Sequence, residues 1–234
     1  MSGLPDNYVM RGFSSIKALV ADARAILDDL ERNQESGNQY LLVLSIPTAI
    51  RVELDENKSA LGGIPFRLMF DGASALVKVI PSFAHGASTR RLAENILFSS
   101  LMVGVPRDDT CWATTTTYRG TTSNKGKQPD DCFVPWSRQP HGPQQPLNWP
   151  TLVIESGVSE SLPKLREDAR WWFENSSGSV RTVIVLSIKR VSRTIKLEKW
   201  QLMDPVSDPI RAACSQSTAL CGADYNYYTH FSDR

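Results

Sequence analysis

Between residues 13 and 30 the apolar positions Phe13, Ile16, Leu19, Val20, Ala23, Ile26, Leu27 and Leu30 recur three and four apart, with charged residues between them. That spacing lays one apolar stripe along an amphipathic helix, read here as an N-terminal accessory element. After the turn-like "ESGN" the pattern changes to β-rich apolar runs: "YLLVLSI", "FRLMF" and "ALVKVI". Asp71-Gly72, a dipeptide that favours tight hairpins, joins the last two, so the three predict an antiparallel meander. From Ser88 a second helical stretch, "STRRLAENILFSSLMVGV", is stopped by Gly104 and Pro106. In this pattern His85 is a turn residue.

Threonines and aromatics make "CWATTTTYRG" a strand. "TTSNKGKQP" is a polar connection leading into "DCFVPW", and the prolines of "SRQPHGPQQPLNWP", with His141 among them, deny that stretch regular structure. "TLVIE" predicts a strand buried on both faces and ended by Glu155. In the helix that follows, "SESLPKLREDARWWFENS", Pro163 suits the first turn. Leu162, Leu165, Ala169, Trp172 and Phe173 share one stripe, and Lys164, Asp168 and Trp171 lie on another. The runs "VRTVIVLSIKR" and "RTIKLEKWQLM" predict a strand pair carrying Arg181, Lys189, Arg190, Arg193, Lys196 and Lys199 against a single acid, Glu198. The end from Asp204, with "YNYYTHF", shows no readable pattern.

The 234 residues are 41% hydrophobic and 22% charged, with a net charge of +1, an ordinary balance for one globular domain with appendages. Charge-driven binding must therefore be local. No apolar run approaches the ~18 residues of a membrane span, and the start lacks the basic-then-apolar plan of a signal peptide. The expectation is a protein without membrane attachment, in the cytoplasm or nucleus. Cys111, Cys132, Cys214 and Cys221 form no CxxC pair, so they read as reduced thiols that pack rather than as zinc ligands.

Candidate chemistry enters with Asp130, directly after Pro129, and with Glu155. A hard divalent cation wants converging carboxylate oxygens, and the ends of two adjacent strands can bring these two acids to one point. Mg²⁺ or Mn²⁺ there, with a lysine nearby, would stabilise charge on a phosphate being displaced. Each residue has a plainer account. Asp130 and Asp131 suit an Asx-type turn, Lys164 suits an i,i+4 pair with Asp168, and Glu94 suits a helix-surface pair with Arg90 or Arg91. Glu155 suits a strand-end glutamate already in solvent, although an acid ending a buried strand is costly unless a cation, a donor or a metal meets it.

This element order and these residues resemble the PD-(D/E)xK superfamily of restriction-endonuclease-like nucleases, closest to its Uma-type domains. The resemblance covers about residues 60–200 and runs through "FRLMFDGASALVKVIPS", "FAHGASTRRLAENILFSS", Pro129-Asp130, "TLVIE" and "LPKLREDARWWF". It implies an α+β fold with a mixed central sheet flanked by helices, preceded by a helix and β-meander extension. The corresponding division is an extension at 1–59, a nuclease-like core at 60–203 and a tail at 204–234. By residue, the resemblance makes Asp130 and Glu155 metal-binding catalytic acids and Glu94 an additional ligand. Lys164 becomes the catalytic lysine, because the motif's usual lysine position holds Gly157. Lys125, Lys127, Lys189, Arg190 and Arg193 would contact nucleic acid, DNA foremost. Gly157 keeps a rival open: a catalytically inactive module of the same fold for nucleic-acid or protein partners, or one that dimerises.

Overall fold

The computed structural model describes residues 1–81, 83–113, 116–120, 124–140, 148–190, 192–202 and 230–232. His141, Cys214, Cys221 and the tail from 204, apart from the backbone at 230–232, lie outside the described residues.

The fold is mixed α+β, with four helices and two six-stranded sheets among those residues. The first sheet contains β1 (Val9–Gly12), β2 (Tyr40–Leu44), β3 (Phe66–Asp71), β4 (Ser74–Val79), β6 (Tyr118–Arg119) and β7 (Lys125–Lys127), in the order β1-β2-β4-β3-β7-β6. The second contains β5 (Thr110–Trp112), β8 (Asp131–Pro135), β9 (Leu152–Val158), β10 (Thr182–Lys189), β11 (Thr194–Gln201) and β12 (His230–Ser232), in the order β12-β11-β10-β9-β8-β5. The helices are α1 (Ile16–Arg32), α2 (Thr48–Glu56), α3 (Phe83–Met102) and α4 (Leu162–Asn175).

The first helix follows its sequence pattern. Ser15 caps α1 by accepting from the Ala18 amide at 3.1 Å, and Leu19, Ala23, Ile26, Leu27 and Leu30 are its buried stripe. They pack on Leu41, Val43, Leu68, Phe70, Val77 and Val79 of the first sheet, so α1 is half of a core rather than an accessory. The hairpin turn between β3 and β4 pairs Asp71 with Ser74 and places Gly72 at φ 58°, where a side chain is disfavoured. The meander is corrected, however. β2 enters beside β4 rather than β3, because α2, which the apolar pattern did not announce, intervenes. The sheet and its core thus draw on both sides of residue 60.

Two boundaries move in ways that matter for chemistry. Helix α3 starts at Phe83 rather than Ser88, which lifts His85 out of a turn and onto the helix, buried. β9 continues three residues past Glu155 to Val158, so this acid lies in mid-strand. "CWATTTTYRG" divides into β5 and β6, which join different sheets. β10 and β11 pair antiparallel as expected, while β9 and β10 run parallel through the α4 crossover.

Side chains of a strand alternate between its faces, and this alternation decides what meets what. In the first sheet Leu68, Phe70, Val77 and Val79 face α1. Lys78 and its register partners on either side, Tyr40 and Arg67, fall with Met69 and Leu76 on the opposite face, towards α4. In β9, Val153 and Glu155 face α4, since Val153 packs with Leu165, Ala169 and Trp172 and Glu155 bonds Trp172. Ser156 bonds Thr89 of α3 on the other side. Helix α4 is therefore buried on both of its faces, and its Lys164 and Asp168 are interior.

Candidate functional site

The chain passes from the first sheet to the second through Gln128-Pro129-Asp130, between β7 and β8. That crossover holds Asp130 where Lys78 of one sheet and Ser156 of the other can both reach it. Asp130 Oδ2 receives Lys78 Nζ at 3.2 Å and the Ser156 amide at 2.9 Å, and its Oδ1 lies 3.1 Å from His85 Nε2 and 3.5 Å from Arg67 Nε. Lys78 Nζ also donates to the Ser156 carbonyl at 2.8 Å and lies 2.9 Å from Glu160 Oε2, while Tyr40 donates its hydroxyl to the other oxygen of Glu160. Alongside, Lys127 Nζ is 3.0 Å from Glu155 Oε1 and 2.6 Å from Asp168 Oδ1, which Lys164 also contacts. Trp172 Nε1 donates to Glu155 Oε1 at 2.5 Å.

Asp130, Glu155, Asp168 and the three lysines line one cavity of about 20 Å³, roughly the room a single water needs. These groups and Glu160 are at most 7% exposed. Burial works against charge on Asp130, but Lys78, His85 and Arg67 outweigh it and hold the carboxyl well below its usual range. The same contest holds Asp168 down at about 2, through Lys127 and Lys164. At Glu155 burial wins over Lys127 and raises the carboxyl to about 7. Burial likewise opposes charge on Lys78, yet Asp130 and Glu160 raise its pKa, so it stays an ammonium.

Asp130, Glu155 and Lys164 are therefore brought to one cavity. Glu94 is not: it is exposed on α3 and pairs with Arg90 at 3.0 Å. Lys127, expected on a phosphate-binding surface, is buried instead and joins Glu155 to Asp168. Lys125 pairs with Asp71 at 3.6 Å, and Arg190 with Glu35 at 2.6 Å. Lys189 and Arg193 are exposed. Asp131 is a strand-start residue. It opens β8, buried, accepts from its neighbour's amide at 2.8 Å, and burial raises its carboxyl to about 6. Cys132 packs as a free buried thiol that burial pushes up to about 12.

Lys78, Tyr40, Glu160 and Ser156 had no part in the sequence-based site. The signal for Lys78 was its place in "ALVKVI", a lysine interrupting an apolar strand. Gly157 also acquires a reason: a Cβ there would come within 2.5 Å of Glu160 Cβ and Oε2. The space a side chain at 157 would take is filled by Glu160.

The donor set is all oxygen, which suits a hard cation. Yet Asp130, Glu155, Glu160 and Asp168 already face three ammonium groups and the Arg67 guanidinium. A divalent ion placed between Asp130 and Glu155 would press against Lys78 and Lys127 in an interior that is already charge-balanced, so the residues as packed do not fit Mg²⁺. Among the described residues no group of three or more His, Cys, Asp or Glu has metal-binding geometry, and no helix is long and apolar enough to cross a membrane. Comparison with protein-family models and with curated proteins returned no match.

Proposed function

We propose that the chain is a restriction-endonuclease-like module that binds nucleic acid, DNA foremost, without cutting it. The observation that carries this reading is the state of the acid site: every carboxylate is held by a buried cation, around a cavity of about 20 Å³ that a phosphodiester cannot enter. The fold assignment draws on the element order. Helix α3 is followed by the antiparallel β5, β8 and β9, with Asp130 immediately before β8 and Glu155 in β9, then by α4 and a β10 parallel to β9. The binding surface is the β10–β11 hairpin, where Lys189, Arg193 and Lys199 are exposed and form no side-chain ion pair among the described residues. Such cations supply most of the affinity for a phosphate backbone.

A second reading, Mg²⁺-dependent phosphodiester hydrolysis, draws on the convergence of Asp130, Glu155 and Lys164 on one cavity. It requires Lys78 and Lys127 to leave the carboxylates. Incubating wild type and Glu155→Ala with DNA and RNA in Mg²⁺ or Mn²⁺ separates the two. The expected result is nucleic-acid binding by fluorescence anisotropy with no cleavage by either protein. Cleavage by wild type that Glu155→Ala abolishes would overturn the binding-module reading.

A further inference from the structure

Lys78 Nζ sits in a cage of three oxygens from three places in the chain: Asp130 Oδ2 at 3.2 Å, the Ser156 carbonyl at 2.8 Å and Glu160 Oε2 at 2.9 Å. The cage is interior, with Asp130 3%, Ser156 1% and Glu160 4% exposed. Glu160 Oε2 is buried, and among the described residues the Lys78 ammonium 2.9 Å away is the one cation that reaches it. An ammonium must point its three protons, whereas a metal ion has no such requirement. The cage also exists only because residue 157 is glycine, since any Cβ there would collide with the Glu160 carboxylate.

We propose that Asp130, the Ser156 carbonyl and Glu160 form a latent hard-cation site in which the Lys78 ammonium takes the place of a divalent metal. The inference rests on the reading of the acid site as closed by its own lysines, and it goes further in two respects. It moves the cation position from the Asp130–Glu155 pair to Asp130–Glu160, and it makes one side chain from the other sheet the reason that no metal is needed. Gly157 and Lys78 are then one exchange: loss of the side chain at 157 admits Glu160, and Glu160 with Asp130 recruits Lys78.

The test is Lys78→Ala, which leaves the oxygens and removes the ammonium. Calorimetric titration with Mn²⁺ and with Mg²⁺ is expected to show one site per chain, tighter than wild type by on the order of 100-fold, since buried Glu160 then loses its ammonium and Asp130 keeps only His85 and Arg67. Lys78→Ala combined with Asp130→Asn returns binding to the wild-type level. If Lys78→Ala does not fold unaided, refolding in Mn²⁺ against refolding in chelator gives the same answer, folded protein being recovered only with metal. A folded variant that binds no better than wild type, or a chain unfolded in both conditions, overturns the proposal. Wild-type cleavage of nucleic acid would instead remove the functional reading, which this titration does not address.

Discussion

Lysines and arginines have opposite fates in two regions of this protein. On the β10–β11 hairpin Lys189, Arg193 and Lys199 project into solvent, although the same hairpin carries Glu198, buried and held by Arg166 at 2.6 Å. Between the sheets Lys78, Lys127 and Lys164 are interior, each within an ion-pair distance of at least one buried carboxylate. The difference lies in what the strand face meets. Lys189, Arg193 and Lys199 stand near the hairpin turn or on its outward strand face, where water solvates them. The inner face of β4 and β7 meets α4, so its cations can be kept charged only by acids. A cation in the first region is available to a partner, and one in the second is committed to the fold.

Removing a committed cation should break this contrast most strongly. Lys127→Ala leaves Glu155 and Asp168 buried without the ammonium they share, a loss of roughly 3–5 kcal/mol for a broken buried pair, read as a lowered urea midpoint at unchanged slope. A loss under about 1 kcal/mol would mean that water reaches the cluster freely.

The pH dependence comes next. Glu155 in the folded chain titrates near 7 rather than at its ordinary 4.5. Between those values the native state holds a proton that the unfolded chain has released, so stability falls as pH rises through that window, by up to about 3 kcal/mol. Asp168, depressed to about 2 from 3.8, acts with the opposite sign: its contribution is present above pH ~4 and is lost as pH falls towards 2. Unfolding midpoints measured from pH 2 to 8 should therefore rise and then decline. Asp131, raised to about 6, adds a decline of the same sign between pH ~4 and 6, so Glu155→Gln should remove the part of the decline that extends towards pH 7, and an unchanged decline there belongs to another group.

The smallest effect on the fold belongs to the hairpin. Replacing Lys189, Arg193 and Lys199 together by Ala should leave the melting temperature unchanged, while the dependence of DNA affinity on salt flattens by ~0.9 in log–log slope for each phosphate that the protein no longer neutralises. An unchanged slope would place the nucleic-acid surface elsewhere.

Much of the fold was legible because it is local. The 3.6-residue stripe of α1, the Asp71-Gly72 hairpin, the proline within the first turn of α4 and the paired β10 and β11 all rest on neighbours in sequence. Asp130 and Glu155 stood out for the same reason, as acids beside apolar strand residues. The partners of these acids were not legible. Lys78 is 52 residues from Asp130 and 78 from Ser156, and nothing local distinguishes it from a lysine facing water except the apolar run around it. Lys127 and Lys125 stand at the two ends of a three-residue strand. One is buried at the centre of the cluster and the other is tied to a surface aspartate.

By itself, then, the sequence determined the three long helices and the longer strands, though not α2, β1 or β7, and which residues could carry charge-based chemistry, since these follow from spacing and residue type. Only the tertiary structure decided whether that chemistry is open or closed. Docking α4 against the inner face of the first sheet brings Lys78, Lys127 and Lys164 onto four carboxylates, and burial then makes each pairing obligatory because no water remains to solvate either charge.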